Sequence, residues 1–179
     1  MNKLVINCLG SPGSGKTVAA TSLFAALKKQ HLDVIYVPEF AREKVVEGNM
    51  MALSNQHFIF ANQQYRIFSA YKHASLAVTD SPILLGIIYN PVHPDLHTVI
   101  HREHQRYNNL NIMMELDTAH PYSMVGRIHD QAESIAIQRN IFNMLHDADI
   151  PYLLYNETTE EEIVQLIIET MHDDTDSLQ

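Results

Sequence analysis

Eight residues, Gly10-Ser11-Pro12-Gly13-Ser14-Gly15-Lys16-Thr17, carry the strongest chemical signal in this sequence. Their spacing fits G-x-x-x-x-G-K-[ST]. In that pattern glycines let backbone N–H groups turn inward around an anion, the lysine reaches the outer phosphates of a nucleotide, and the hydroxyl ligates Mg²⁺. The pattern requires a strand before it and a helix after it. Both are predicted: Leu4 to Leu9 is an apolar run, and Val18, Leu23, Ala26 and Leu27 recur on one helical face over 16–29. Gly10, Ser11, Pro12, Gly13, Ser14, Gly15, Lys16, Thr17 and Val18 are therefore expected to hold the phosphates of ATP, or of GTP, on the positive end of a helix dipole.

Three further positions fit around such a phosphate. Asp80 closes the apolar run 76–80, where a carboxylate can give Mg²⁺ a second protein contact beside Thr17. The plain alternative is turn chemistry in Asp80-Ser81-Pro82. Glu39 follows the run 33–37 at the carboxyl edge of the expected sheet. There it could accept a proton from an attacking hydroxyl or hold a sugar hydroxyl, with Arg42 pairing to it or to a substrate phosphate. An acidic residue at a helix start would look the same. Arg127 stands in an irregular stretch, where an arginine on a lid can close over a transferring phosphoryl group; Arg139, inside a helical pattern, is the second candidate and fits an ordinary surface residue equally well. Gln63, assigned to substrate binding, and Gln64 could instead position water in a simple NTPase, although no N-K-x-D guanine-reading motif occurs. His101 and His104 lack the spacing and partners of a metal site, and Met113-Met114 reads as core.

The elements that must position these residues alternate between short apolar runs and helical patterns, the mark of a parallel α/β sheet. Strands are predicted at 4–9, 33–37, 76–80, 111–116 and 151–155. Helices are predicted at 16–29, 54–73 (Phe58, Ala61, Tyr65 and Phe68 inward), 96–107, 131–146 (Ile135, Ile141, Phe142 and Leu145 inward) and 159–172. Thr159 and Glu162 have capping-box spacing. The expected fold is α/β with three layers: a central five-stranded parallel sheet with helices on both faces. One domain is expected over 1–172, with a lid at about 118–132 and an acidic tail at 173–179.

Composition bounds the partners. A net charge of −9 disfavours a long nucleic acid, and no apolar stretch is long enough for a membrane span. A single cysteine, Cys8, forbids an internal disulfide and points to a reducing, cytoplasmic setting. A homodimer stays open.

Taken together, these residues resemble those of P-loop nucleoside and nucleotide kinases, above all the ribosylnicotinamide-kinase-like domains of bacterial NAD metabolism and phage-encoded AAA-type ATP-binding proteins. The resemblance rests on Gly10 to Thr17, Glu39-Phe40-Ala41-Arg42-Glu43, Gln63-Gln64-Tyr65, Thr79-Asp80-Ser81, Pro121-Tyr122 with Gly126-Arg127, and Ile150-Pro151-Tyr152, so it spans most of the chain. It implies a P-loop NTPase fold and transfer of the γ-phosphate of ATP, with Mg²⁺, to a nucleoside, a nucleotide or a related small acceptor. It also implies that Glu39 meets the acceptor hydroxyl and that Arg127 matches the lid arginine. With no adenylyltransferase domain in the sequence, any NAD role implied is the kinase step alone. A nucleic-acid 5′ hydroxyl is the alternative acceptor. A small NTPase and a nucleotide-binding regulatory protein are the rival readings.

Overall fold

The computed structural model describes residues 3–91, 93–117, 129–155 and 158–172. The elements in order are β1 (Leu4–Leu9), α1 (Lys16–Lys29), β2 (Val34–Val37), α2 (Phe40–Val46), α3 (Met50–Ser54), α4 (Gln56–His73), β3 (Leu76–Thr79), α5 (Leu85–Tyr89), α6 (Pro94–His104), β4 (Asn109–Met113), α7 (Gln131–Asp147), β5 (Leu153–Leu154) and α8 (Glu160–His172). The sheet runs β2-β3-β1-β4-β5 with every neighbouring pair parallel. β1 is thus central, and the loop that leaves its carboxyl end lies at the middle of the sheet edge.

Two buried clusters explain why the sheet is covered on both faces. Leu4, Ile6 and Cys8 of β1 join Leu23 and Leu27 of α1 and Ile163 and Ile167 of α8; Val5 and Leu9 join Ile67 of α4, Ile100 of α6 and Ile141 of α7. Alternate residues of one strand face opposite layers, so a near-continuous apolar run is what a doubly covered parallel strand requires. Truncating Leu23 to Ala would cost about 2–5 kcal/mol, because such a site relaxes only partly around a cavity.

The exception within β1 is Asn7, which is 2% exposed. Its amide donates to Asn109 Oδ1 at 2.9 Å and to Asn111 Oδ1 at 3.1 Å, and Asn111 donates onward to the Pro151 carbonyl at 3.0 Å. Buried amides in a matched ladder fix the register of β4 against β1, because a slip would orphan them. The same ladder makes β4 start two residues before the apolar run that suggests it.

Several expectations need correction. The inward face of α4 is Gln63, Ile67 and Ala70, while Phe58 is 43% and Tyr65 67% exposed, Ala61 is exposed and Phe68 half-buried. Val18 in α1 and Ile135 in α7 also point outward. Aromatic and β-branched side chains at helical spacing mark a stripe, but not which stripe meets the core. The short helices α2, α3 and α5 are not evident in the periodicity. The Thr159–Glu162 capping box is present, with Glu162 N donating to Thr159 Oγ1 at 3.3 Å and Thr159 N to Glu162 Oε2 at 2.8 Å. The tail at 173–179 and most of the expected lid, 118–128, lie outside the described residues, and Arg127 with them. Among the described residues no helix is long and apolar enough to cross a membrane.

Candidate nucleotide and acceptor site

The loop from Gly10 to Gly15 is built by three glycines with positive φ: +152° at Gly10, +90° at Gly13 and +86° at Gly15. At Gly10 the requirement is also steric, since a Cβ there would collide with Ser14 Oγ and lie 2.7 Å from the Met114 carbonyl oxygen. Gly15 is the N-cap of α1 in left-handed conformation and offers no side-chain cap. The first N–H groups of a helix are those its own ladder cannot satisfy, so an uncapped start at the middle of the sheet edge suits an anion. Lys16 Nζ donates to the Ser11 carbonyl at 2.7 Å, across the concavity.

Beside the loop, Thr17 Oγ1 donates to Asp80 Oδ2 at 2.7 Å. Asp80 is 3% exposed, and its other oxygen, Oδ1, is buried without a hydrogen-bond partner. An orphaned carboxylate oxygen is costly unless a cation completes it. Mg²⁺ takes one or two protein oxygens, with phosphate oxygens and waters for the rest, so the pair fits that ion. Among the described residues no group of three or more His, Cys, Asp or Glu side chains could hold a metal alone. The Asp80 charge also acts on its neighbours. Burial chiefly, then Asp80, pushes the Tyr36 phenol and the buried Cys8 thiol well above their ordinary ranges, which leaves Cys8 unreactive.

Glu39 is the N-cap of α2, yet its side chain makes no capping bond. The N–H of Phe40 goes instead to Gln63 Oε1 at 2.9 Å, reached from α4. Gln63 also donates weakly to Thr79 Oγ1 at 3.4 Å, and that hydroxyl accepts Ser81 N at 3.1 Å. Gln63 therefore ties the start of α2 to the end of β3, and its cap releases the Glu39 carboxylate to the cavity wall. Burial raises the Glu39 pKa, Lys16 pulls it back, the Asp80 charge raises it and Arg42 lowers it. Gln64 is engaged elsewhere, donating to Glu103 Oε2 on α6 at 2.9 Å.

These groups share one cavity of about 450 Å³. Pro12, Gly13, Gly15, Lys16, Thr17, Val18 and Asp80 are in its lining. Glu39, Arg42 and Gln63 join them, and Val45, Leu53, Ile59, Phe60 and Tyr89 add apolar surface. The cavity brings together nearly all of the described residues expected at the site. Gly10 lies buried behind the loop. Ser11 is 0% exposed and the buried Ser14 Oγ meets no partner, and neither is in the cavity lining. The apolar lining carries no sequence motif, and neither does Gln138, whose Oε1 accepts Leu116 N at 2.7 Å and Ser11 Oγ at 3.3 Å and so ties α7 to the loop. Arg139 is exposed and is not in the cavity lining.

A family model described as an AAA domain matches residues 5–162. No curated protein matches significantly. The fold is similar to that of the thymidylate kinase of Ehrlichia chaffeensis, with a TM-score of 0.61 at 14% identity over 96% of this chain and 100% of that one. A weaker likeness, with a TM-score of 0.47 at 11% identity over 96% of this chain and 99% of the other, is to the APS kinase CysC of Mycobacterium tuberculosis in its Cys556Ala form. The architecture is therefore that of a P-loop nucleotide kinase.

Proposed function

This chain belongs to the AAA-domain family, and we propose that within it the protein is an ATP-dependent phosphotransferase that moves the γ-phosphate to a hydroxyl of a nucleoside-like small acceptor. The observation that carries this reading is the Glu39 carboxylate, freed from its capping duty by Gln63 and set in the wall of the cavity that also holds Lys16 and Asp80. A hydroxyl is the acceptor that needs a base. A phosphate acceptor is already ionised at neutral pH, and a second carboxylate beside it would repel it.

In this reading the loop amides from Gly13 to Thr17 and the Lys16 ammonium bind the β- and γ-phosphates. Thr17 and Asp80 hold Mg²⁺, which when bound shields the phosphate charge from the incoming nucleophile. Glu39 orients the acceptor hydroxyl and takes its proton. Arg42 and Gln63 flank the acceptor, while Val45, Leu53, Ile59, Phe60 and Tyr89 cover an apolar or flat portion of it and exclude water. Arg127 supplies a positive charge for the transferring group.

The rival readings differ in what turnover needs. A simple NTPase would use a glutamine to position water, but Gln63 already accepts from Phe40 N and Gln64 bonds to Glu103. The test is ATP turnover with and without a panel of nucleosides, nucleoside monophosphates, nicotinamide riboside and 5′-hydroxyl oligonucleotides. Turnover that requires one hydroxyl acceptor is expected. Acceptor-independent hydrolysis would favour an NTPase, and ATP binding without turnover a regulatory role.

A further inference from the structure

Glu39 and Asp80 each stand immediately before a backbone N–H that a side chain holds. Phe40 N donates to Gln63 Oε1 at 2.9 Å, and Ser81 N donates to Thr79 Oγ1 at 3.1 Å. The two acceptors are themselves joined, since Gln63 Nε2 donates weakly to Thr79 Oγ1 at 3.4 Å. One run of hydrogen bonds, from Phe40 through Gln63 and Thr79 to Ser81, therefore passes from the residue after one carboxylate to the residue after the other. Both middle members are buried, Gln63 at 4% exposed and Thr79 at 0%.

Each link has one orientation. The Phe40 N–H needs an acceptor, so Gln63 turns its oxygen to α2 and its amide nitrogen to Thr79, and both lone pairs of the Thr79 hydroxyl are then taken. Phe40 is the one buried residue of α2, so the helix that Glu39 caps is anchored where Gln63 meets it. The parallel register sets Val37 beside Thr79, which brings the two chain ends that lead to Glu39 and Asp80 side by side. Burial works first against an ionised Glu39, Lys16 opposes it, and the Asp80 charge adds to it. Neighbouring carboxylates repel, so a fixed spacing between them takes a rigid backbone beneath both. Thr79 is outside the cavity lining and so touches neither nucleotide nor acceptor.

We propose that Gln63 and Thr79 are positioning residues, a buried relay that holds the Glu39 carboxylate at a set place against Asp80. Its role in transfer rests on the function proposed above; the relay itself does not. Gln63 thereby acts through Glu39 and not as a group that recognises the acceptor. Thr79 acts through Gln63.

The test has two arms, both on the full chain. In the first, amide hydrogen exchange is followed by NMR in the parent, Thr79→Val and Thr79→Ser. Thr79→Val keeps the shape and removes the hydroxyl, so exchange should speed up at Ser81 and, through Gln63, at Phe40, by at least about fivefold at each. Thr79→Ser should restore both rates. A Phe40 rate that stays at the parent value in Thr79→Val would overturn the relay. In the second arm, Gln63→Met and Thr79→Val should each lower kcat for transfer roughly tenfold or more, as a misplaced group does, with the KM values of ATP and acceptor and the background hydrolysis of ATP unchanged. The acceptor used is the member of the turnover panel that supports transfer. Each loss should vanish when the same change is made in Glu39→Gln. A raised acceptor KM in Gln63→Met would make Gln63 a recognition group, and a loss that persists in the Glu39→Gln background would route the effect around Glu39; either would overturn the proposal. Gln63→Met, which leaves the Thr79 hydroxyl in place, carries this arm if Thr79→Val does not fold. If no panel member supports transfer, the phosphotransferase reading falls and the exchange rates decide the relay.

Discussion

Thr17 Oγ1 and Asp80 Oδ2, 63 residues apart in sequence, stand 2.7 Å apart in the fold. The first lies in the first turn of α1 and the second directly follows β3, and the parallel pairing of β1 with β3 brings the carboxyl ends of those strands to the same edge. Asp80 Oδ1 is left buried without a hydrogen-bond partner, so one carboxylate oxygen stands open to a ligand next to a phosphate-binding loop.

Asp80→Asn keeps the shape and removes the charge of that carboxylate. Turnover is expected to fall by about two orders of magnitude or more, because a metal at a transferring phosphoryl group is worth several kcal/mol. The fold should hold, since the amide keeps the size of the carboxylate and an oxygen to accept from Thr17 Oγ1. The check is turnover against Mg²⁺ concentration together with a thermal melt. An unchanged Mg²⁺ dependence would move the metal away from Asp80, with Asp117 the next carboxylate to examine.

Lys16→Ala should abolish transfer, because the ammonium that would neutralise the phosphate oxygens is lost from the loop, where it donates to the Ser11 carbonyl. Gly10→Ala should do the reverse of a clean active-site change. Its new Cβ meets Ser14 and the Met114 backbone, so nucleotide binding and stability fall together. Near-normal turnover in folded Lys16→Ala would remove the loop from catalysis.

How far these sites were legible in the sequence depends on the range of the interactions that make them. The loop is readable residue by residue because its glycines meet local backbone demands that no other residue satisfies. Asp80 and Glu39 are readable because each follows an apolar run that ends at the ligand-binding edge. Gln63 is legible as a site residue but not as the cap of α2, because Phe40 is 23 residues away. Gln138 is not legible at all, with partners 22 and 127 residues distant. Of the apolar lining, Val45, Leu53 and Tyr89 come from α2, α3 and α5, helices of five to seven residues, too short for periodicity to mark, while Ile59 and Phe60 lie on α4 off the stripe that the sequence suggests. The Asn7 ladder is not legible for a related reason: a polar side chain inside a strand declares its partners only in three dimensions.

Gln138 offers a direct test of such a distant tie. One oxygen accepts from both Leu116 N and Ser11 Oγ, so only its acceptor character matters. Gln138→Met should leave both donors unsatisfied, at about 1–3 kcal/mol in stability, and loosen the loop enough to weaken nucleotide binding several-fold. Gln138→Glu, which keeps the oxygen, should restore most of both. Calorimetric nucleotide affinities beside melts would show it, and equal affinities in all three proteins would make the contact incidental.

His104 gives a pH dependence with a fixed sign. It is 6% exposed, and burial, helped by His101, lowers its pKa from 6.5 to about 4. Between those values the unfolded chain binds a proton that the native protein refuses, so stability is complete above about pH 6.5 and is lost as pH falls toward 4. The loss approaches about 3 kcal/mol at the acid end of that window, at 1.36 kcal/mol per unit. His104→Leu should flatten the urea midpoint across it, and a variant that declines as steeply as the parent would place the titration elsewhere.

Glu39 separates transfer from hydrolysis, because its proposed partner is the acceptor and not the nucleotide. A carboxylate in reach of an attacking hydroxyl contributes roughly 10² to 10⁴ in rate. Glu39→Gln should therefore lower transfer at least about tenfold, a conservative bound on that range, while ATP affinity stays nearly constant. The raised pKa adds a second signature. A buried carboxyl whose folded value lies above its unfolded one stabilises the fold fully only below the unfolded value, and that stability is lost as pH rises through the folded value. The ionised form is thus a burden at neutral pH, and Glu39→Gln should melt no lower, and preferably higher, than the parent. The rate of the parent should rise with pH through the same raised value, because only the ionised form accepts a proton, and that limb should vanish in the variant. A glutamate that merely faced solvent at a helix start would cost only tenths of a kcal/mol when changed and nothing in transfer. Equal loss of transfer and background hydrolysis would instead put Glu39 beside Asp80 on the metal. Steady-state kinetics with the acceptor from the turnover panel, at several pH values and with a melt for each protein, distinguishes the three outcomes.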